Sequence, residues 1–153
     1  MKLSLRGEYA LRALIVLGQN HHDGVVRIQS ISDQQNIPKR FLEQILNDLR
    51  SGGFVESRRG MAGGYRLRIP PERIPLAKVV RHIEGALAPV GCVSENFYEK
   101  CSCPNERLCG IRSVMKEVRD ATAKILESVT VADLCERWHK LHQEPAGPFD
   151  FII

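Results

Sequence analysis

Four of the chain's five cysteines, Cys92, Cys101, Cys103 and Cys109, fall in one stretch, and Cys135 stands apart. Thiols gathered this way can support three chemistries. Structural disulfides fit badly, because five is an odd number and the chain reads as a resident of a reducing compartment, although a transient redox bond stays open. Zinc fits in part: four thiolates can close a tetrahedron, yet the usual pairs separated by two residues are missing, leaving only Cys101-x-Cys103 and Cys103-x5-Cys109. An iron–sulfur cluster fits best, since soft thiolates suit iron and sulfide and an irregular loop can wrap a cluster. Spacing by itself leaves cluster and zinc both open.

Other candidates carry less. His21 and His22 are neighbours in a turn and read as solvated rather than metal-bound. A nucleophilic Cys served by His82 or His139 would make an enzyme, but no spacing sets a base beside a nucleophile, so no catalytic residue is expected. Cys135 sits in a helical pattern, as an inert buried thiol, and Trp138 reads as core.

The elements around the thiols follow from periodicity. Residues 86–110 show almost none, a long irregular stretch that needs a functional reason. After it Ile111, Val114, Met115, Val118, Ala121, Ile125 and Val129 recur at three and four residues, with charged residues opposite, which predicts a long amphipathic helix suited to pairing two subunits. Thr130 with Asp133 predicts the capped start of a last helix whose inner face is Leu134, Trp138 and Leu141. At the other end, Ser4 to Gly18 reads as a mostly apolar first helix interrupted by Glu8 and Arg12, spaced for a helix ion pair. Pro70, Pro71 and Pro75 punctuate a connector to a short helix over Leu76 to Ile83, closed by Gly85.

The most informative stretch is Ser30 to Leu67. Ser30 is expected to cap a short helix over Ile31 to Gln35, with a break at Asn36 and Ile37. Pro38 then suits the first turn of a second helix, whose inward stripe is Phe41, Leu42, Ile45, Leu46 and Leu49 and whose end is Gly52 and Gly53. Phe54 to Glu56 and Tyr65 to Ile69 read as strands joined by a glycine-rich tip, Arg58 to Gly64. This is the pattern of a winged helix-turn-helix. Lys39, Arg40, Glu43, Gln44 and Asn47 lie on the outward face of the second helix, the side-chain types that contact base edges or phosphates. Arg58, Arg59 and the Gly63-Gly64 tip are expected at phosphate or minor groove. Residues 38–73 hold eight basic and four acidic side chains, a balance of +4 that equals the net charge of all 153 residues. A polyanionic partner is implied.

The run Ile31 to Leu46, followed by Arg59-Gly-Met-Ala-Gly-Gly-Tyr-Arg-Leu67 and preceded by the opening Met1 to Leu14, resembles the Rrf2 family of bacterial winged-helix transcription regulators, the IscR, NsrR and CymR type. The resemblance spans roughly residues 1–142. It implies a cluster held by three cysteines of the loop, which map onto Cys92, Cys103 and Cys109, with Cys101 competing for the middle position. In IscR-like members a His three residues after the last ligand is the fourth; Arg112 stands there, closing that route. NsrR-like members use a carboxylate from the first helix of the opposite subunit, matching Glu8, so Glu8 and Cys101 are the candidates here. A two-iron cluster is expected over a four-iron one.

With 43% hydrophobic and 26% charged residues the chain is globular. No stretch approaches the roughly 18 apolar residues of a membrane span, and the expected location is cytoplasmic. The expected fold is mainly α with a small β wing: a winged helix-turn-helix over 1–85, a cysteine-rich sensor loop over 86–110, dimerisation helices over 111–142 and a tail over 143–153. The expected protein is a homodimeric DNA-binding regulator of an operator, with no membrane partner and no small-molecule substrate. The alternatives are a thiol-switch or structural-zinc regulator and a winged-helix protein-interaction module. The apolar end Phe149 to Ile153 receives no function.

Overall fold

The computed structural model describes residues 3–143, and the apolar end at 149–153 lies outside them. Six helices and one two-stranded sheet follow in the order α1 (Leu5–Gln19), α2 (Ile28–Gln35), α3 (Lys39–Ser51), β1 (Val55–Arg58), β2 (Gly64–Leu67), α4 (Leu76–Glu84), α5 (Gly110–Ser128) and α6 (Val131–Gln143). It is the expected mainly helical architecture with a β wing.

Helix α1 starts where Ser4 caps it, its hydroxyl accepting from the Gly7 amide at 3.1 Å. Ala10, Ala13, Leu14, Val16 and Leu17 are buried by the surrounding helices. Leu42, Ile45, Leu46 and Leu49 of α3 form the stripe that meets them, and Ile31, Ile37, Phe54, Val55, Leu67 and Ile74 complete the core. Burying one such Leu stabilises by about 1.5–3 kcal/mol. Phe41, expected on that stripe, is 47% exposed with the Arg40 guanidinium over its ring. On the helix it lies about 40° beyond Ile45 and about 90° from the middle of the stripe, at the edge where packing stops.

Helix α2 begins three residues earlier than expected. Arg27, not Ser30, is its N-cap residue, and no side chain caps it. The reason is tertiary: Val26 exchanges hydrogen bonds of 2.7 and 2.8 Å with Tyr65 of the wing, holding the chain extended until Ile28. Ser30 therefore lies inside the helix and accepts from Gln34. Asn36 ends α2 in the left-handed region (φ 49°), which Asn tolerates, and the Ser32 hydroxyl donates to the Ile37 carbonyl at 2.6 Å across the turn. Pro38 is the N-cap of α3, one position before the expected first turn.

Helix α4 packs on α1, α3 and α5 and closes at Gly85 (φ 87°). Helix α5 contributes no buried residue, whereas α6 returns to α1 and places Val131 and Cys135 in the main core. Thr130 and Asp133 form the expected reciprocal cap: the Thr130 amide donates to Asp133 at 2.8 Å, and the Asp133 amide donates to the Thr130 hydroxyl at 3.2 Å. These bonds, the Thr130 backbone amide foremost, hold the Asp133 carboxyl below its usual range. Trp138 and Leu134 pack on the core, but Leu141, placed with them from sequence, is 71% exposed.

Candidate nucleic-acid interface and thiol loop

Burial of the α3 stripe turns Lys39, Arg40, Glu43, Gln44 and Asn47 outward together. Arg6 of α1 pairs with Asp48, so that acid is neutralised within the fold. None of Lys39, Arg40 or Glu43 has an ion-pair partner among the described residues.

The wing register pairs Val55 with Leu67, Glu56 with Arg66, Ser57 with Tyr65 and Arg58 with Gly64. Both strands run closer to the tip than expected, since Arg58 and Gly64 still pair. Glu56 and Arg66, directly opposite, form a cross-strand ion pair. Arg58 and Arg59 are exposed and without ion-pair partners among the described residues. Gly63 donates its amide to the Gly60 carbonyl at 2.9 Å to close the tip. A Cβ on Gly63 would stand 2.3 Å from the Arg58 carbonyl oxygen, and one on Gly64 2.5 Å from that of Val26, so these glycines build the wing and seat it against α2.

Two more basic residues join this surface: Arg50, one of the eight basic side chains of residues 38–73, and Arg27, which lies outside that stretch. Arg27 donates to the Met61 carbonyl at 3.3 Å, and Arg50 to the Ser57 hydroxyl at 3.2 Å. With Arg58 and Arg59 they line a groove between the start of α2 and the wing. Only the long-range bridge from Val26 to Tyr65 brings Arg27 there; no local signal does.

The thiols lie at the junction of the loop with α5. Cys92 is buried in a short turn over Gly91–Val93, and burial raises its thiol pKa. Cys103 Sγ is 3.6 Å from Cys109 Sγ. Cys109 caps α5, its sulfur accepting the Arg112 amide at 3.4 Å, and this bond lowers its pKa. Cys103 moves the other way, to about 12, under the influence of the neighbouring Cys101 thiol first and then of Cys109. Cys101, next after burial, pushes the Cys92 thiol up as well. Cys103 and Cys109 are the loop thiols that the structure brings into direct contact. Among the described residues no three His, Cys, Asp or Glu side chains are set as a ready single-ion site.

Two arginines of α5 clamp the loop. Arg112 donates to the Cys92 carbonyl at 3.2 Å and pairs with Glu106 at 3.0 Å, while Arg119 donates to the Val93 carbonyl at 2.7 Å. Glu8 remains on α1, ion-paired with Arg12 at 3.3 Å. His21 and His22 meet edge to face. Cys135 is buried, raised to about 11 by that burial, and donates to the Ile15 carbonyl.

A helix-turn-helix with an outward polar face and a basic wing defines a winged-helix DNA-binding transcriptional regulator. Residues 3–137 match the model of the Rrf2 family, described as an iron-dependent transcriptional regulator, and the chain belongs to that family. It is 38% identical over 131 residues to a putative rrf2-like HTH-type transcriptional regulator of Rhodobacter capsulatus, covering 83% of this chain and 87% of that one. Among solved structures it resembles CymR, the global cysteine regulator of B. subtilis (TM-score 0.76, 31% identity, 90% and 98% of the two chains), and IscR of T. potens (TM-score 0.74, 27% identity, 96% and 94%). Its relatives are transcriptional regulators and not enzymes. No helix among the described residues is long and apolar enough to cross a membrane.

Proposed function

We propose that this chain acts as a homodimer whose operator binding is set by an iron–sulfur cluster on the thiol loop. The observation that carries this is the contact of Cys103 and Cys109 at the N-terminus of α5. Two thiolates on one tetrahedral metal lie about 3.8 Å apart for metal–sulfur bonds of about 2.3 Å, so their 3.6 Å separation suits a shared iron. The three loop cysteines are soft donors, which suits a cluster. Cys92, Cys103 and Cys109 would hold it, with Cys101 or the partner subunit's Glu8 as fourth ligand, and it would supply a redox- and gas-sensitive centre. The family's description as iron-dependent favours iron over zinc.

The dimer rests on α5. Ile111, Val114, Val118, Ala121 and Ile125 alternate at three and four residues, the spacing of a coiled-coil seam, and all are exposed in the single chain. A dimer presents two α3 helices to half-sites about 34–36 Å apart. Helix α4 joins the two parts: Arg81 pairs with Glu127 of α5 at 2.6 Å, and the next residue, His82, bonds the Asp48 carbonyl near the end of α3 at 2.7 Å. A change at the loop therefore has a packed route to the recognition helix.

Metal and spectral analysis of variants purified without oxygen tests the ligand set. Cys92→Ser, Cys103→Ser and Cys109→Ser should each lose the thiolate-to-iron absorption while Cys135→Ser keeps it; unchanged spectra in the first three reject the site. Comparing Glu8→Ala with Arg12→Ala separates ligation from the helix ion pair, since only the former would alter the spectrum. The same sulfur contact favours a second reading, a metal-free thiol switch, which would show no iron even after reconstitution.

A further inference from the structure

We propose that Met61, at the wing tip, is a wedge that enters the minor groove and partly unstacks one base step in each half-site. The proposal rests on the wing's assignment to DNA and adds the residue that selects sequence there. Met61 is 97% exposed, the most exposed of the large apolar residues described. It and Ala62 are the two central residues of the turn closed by Gly60 and Gly63. Turn tips ordinarily carry Gly, Asn, Asp or Ser, which satisfy water and backbone alike; an apolar pair there leaves hydrophobic surface with no partner among the described residues.

The tip is also held in place. Arg27 binds the Met61 carbonyl, Gly60 adopts φ 102°, and Tyr65, next to the tip on β2, is fastened to Val26 by two backbone bonds. Immediately before the tip stand Arg58 and Arg59, whose charges have no acidic partner among the described residues, in contrast to Arg66 on the other strand, which Glu56 neutralises. Free cations beside a fixed apolar tip match a surface that is anionic at its rim and apolar between its layers. The minor groove has that character, with phosphates on both rims and stacked bases at its floor. Its width of about 6 Å admits a single turn, and Met is among the side chains that wedge between base steps there. Unstacking is easiest at flexible pyrimidine–purine steps, so Met61 favours such a step in each flank of the operator.

The test uses the full chain and a duplex that it selects from a random-sequence pool, with 2-aminopurine placed at successive flank positions. Wild type and Met61→Leu should raise fluorescence at one step per half-site. Met61→Ala should abolish that rise, keep the wild-type salt dependence, and in a repeated selection weaken the step preference roughly 5- to 150-fold. A rise retained in Met61→Ala, or no rise anywhere with wild type, overturns the wedge. Arg59→Ala separates the two levels of the argument. If it lowers the salt dependence while Met61→Ala changes nothing, the wedge alone is wrong; if it leaves the salt dependence unaltered, the wing is not on DNA and both assignments fall.

Discussion

Replacing Arg59 by Ala should change how DNA affinity responds to salt by an amount that follows from charge pairing within the fold. On α3 and the wing tip, Lys39, Arg40, Arg58 and Arg59 are exposed and have no ion-pair or side-chain hydrogen-bond partner among the described residues, unlike Arg27 and Arg50, whose guanidinium groups are engaged within the fold, giving about four phosphate-seeking cations per chain and about eight per dimer. Counterion release then gives a slope of about −7 in log affinity against log salt, or a loss of about 20,000-fold between roughly 50 and 200 mM. Arg59→Ala removes one cation from each subunit, so the slope should fall to about −5 and the loss to about 2,000-fold over the same range. Arg66→Ala is the control, because Glu56 already neutralises that charge; its slope should stay near wild type. Fluorescence anisotropy on a selected duplex across a salt series measures all three. A slope untouched by Arg59→Ala, or lowered equally by Arg66→Ala, would refute the reasoning.

Further outcomes follow from other parts of the fold. Val118→Asp and Ile125→Asp place charge on the exposed stripe of α5, so sedimentation should report the single 17.2 kDa chain in place of twice that mass; an intact dimer would remove α5 from the interface. Leu46→Ala, at a fully buried site, should lower unfolding free energy by about 2–5 kcal/mol in a urea titration. Thr130→Ala, losing the cap of α6, should cost about 0.5–2 kcal/mol in the same assay. Because the Asp133 pKa is lowered on folding, its contribution is complete above the ordinary carboxylate pKa and fades as pH falls through the folded value. Asp133→Asn should accordingly flatten the acid limb of the stability profile; an unaltered limb would deny the carboxylate that role.

The parts of this protein that local rules govern could be read from its residues alone. The α3 stripe of Leu42, Ile45, Leu46 and Leu49 fixes which face holds Lys39, Arg40, Glu43 and Gln44, and Thr130 with Asp133 announces the start of α6. What escaped depends on distant contacts. The start of α2 is set by the Val26–Tyr65 bridge across the wing, which also carries Arg27 to the groove. Phe41 and Leu141 are apolar at helical spacing, yet periodicity does not record where a packed stripe stops. In the loop, cysteine spacing pointed to soft-ligand chemistry, but the clamps by Arg112 and Arg119 exist only because α5 folds back along the loop.

The most direct test of the central claim is one anaerobic preparation analysed for iron, sulfide and zinc and then titrated with the same selected duplex before and after cluster removal. Expected are iron with equal sulfide and an affinity change of about 5- to 150-fold, corresponding to a coupling of about 1–3 kcal/mol. Protein without iron after reconstitution, or equal affinity in both states, would contradict control of DNA binding by a cluster on the Cys92 to Cys109 loop.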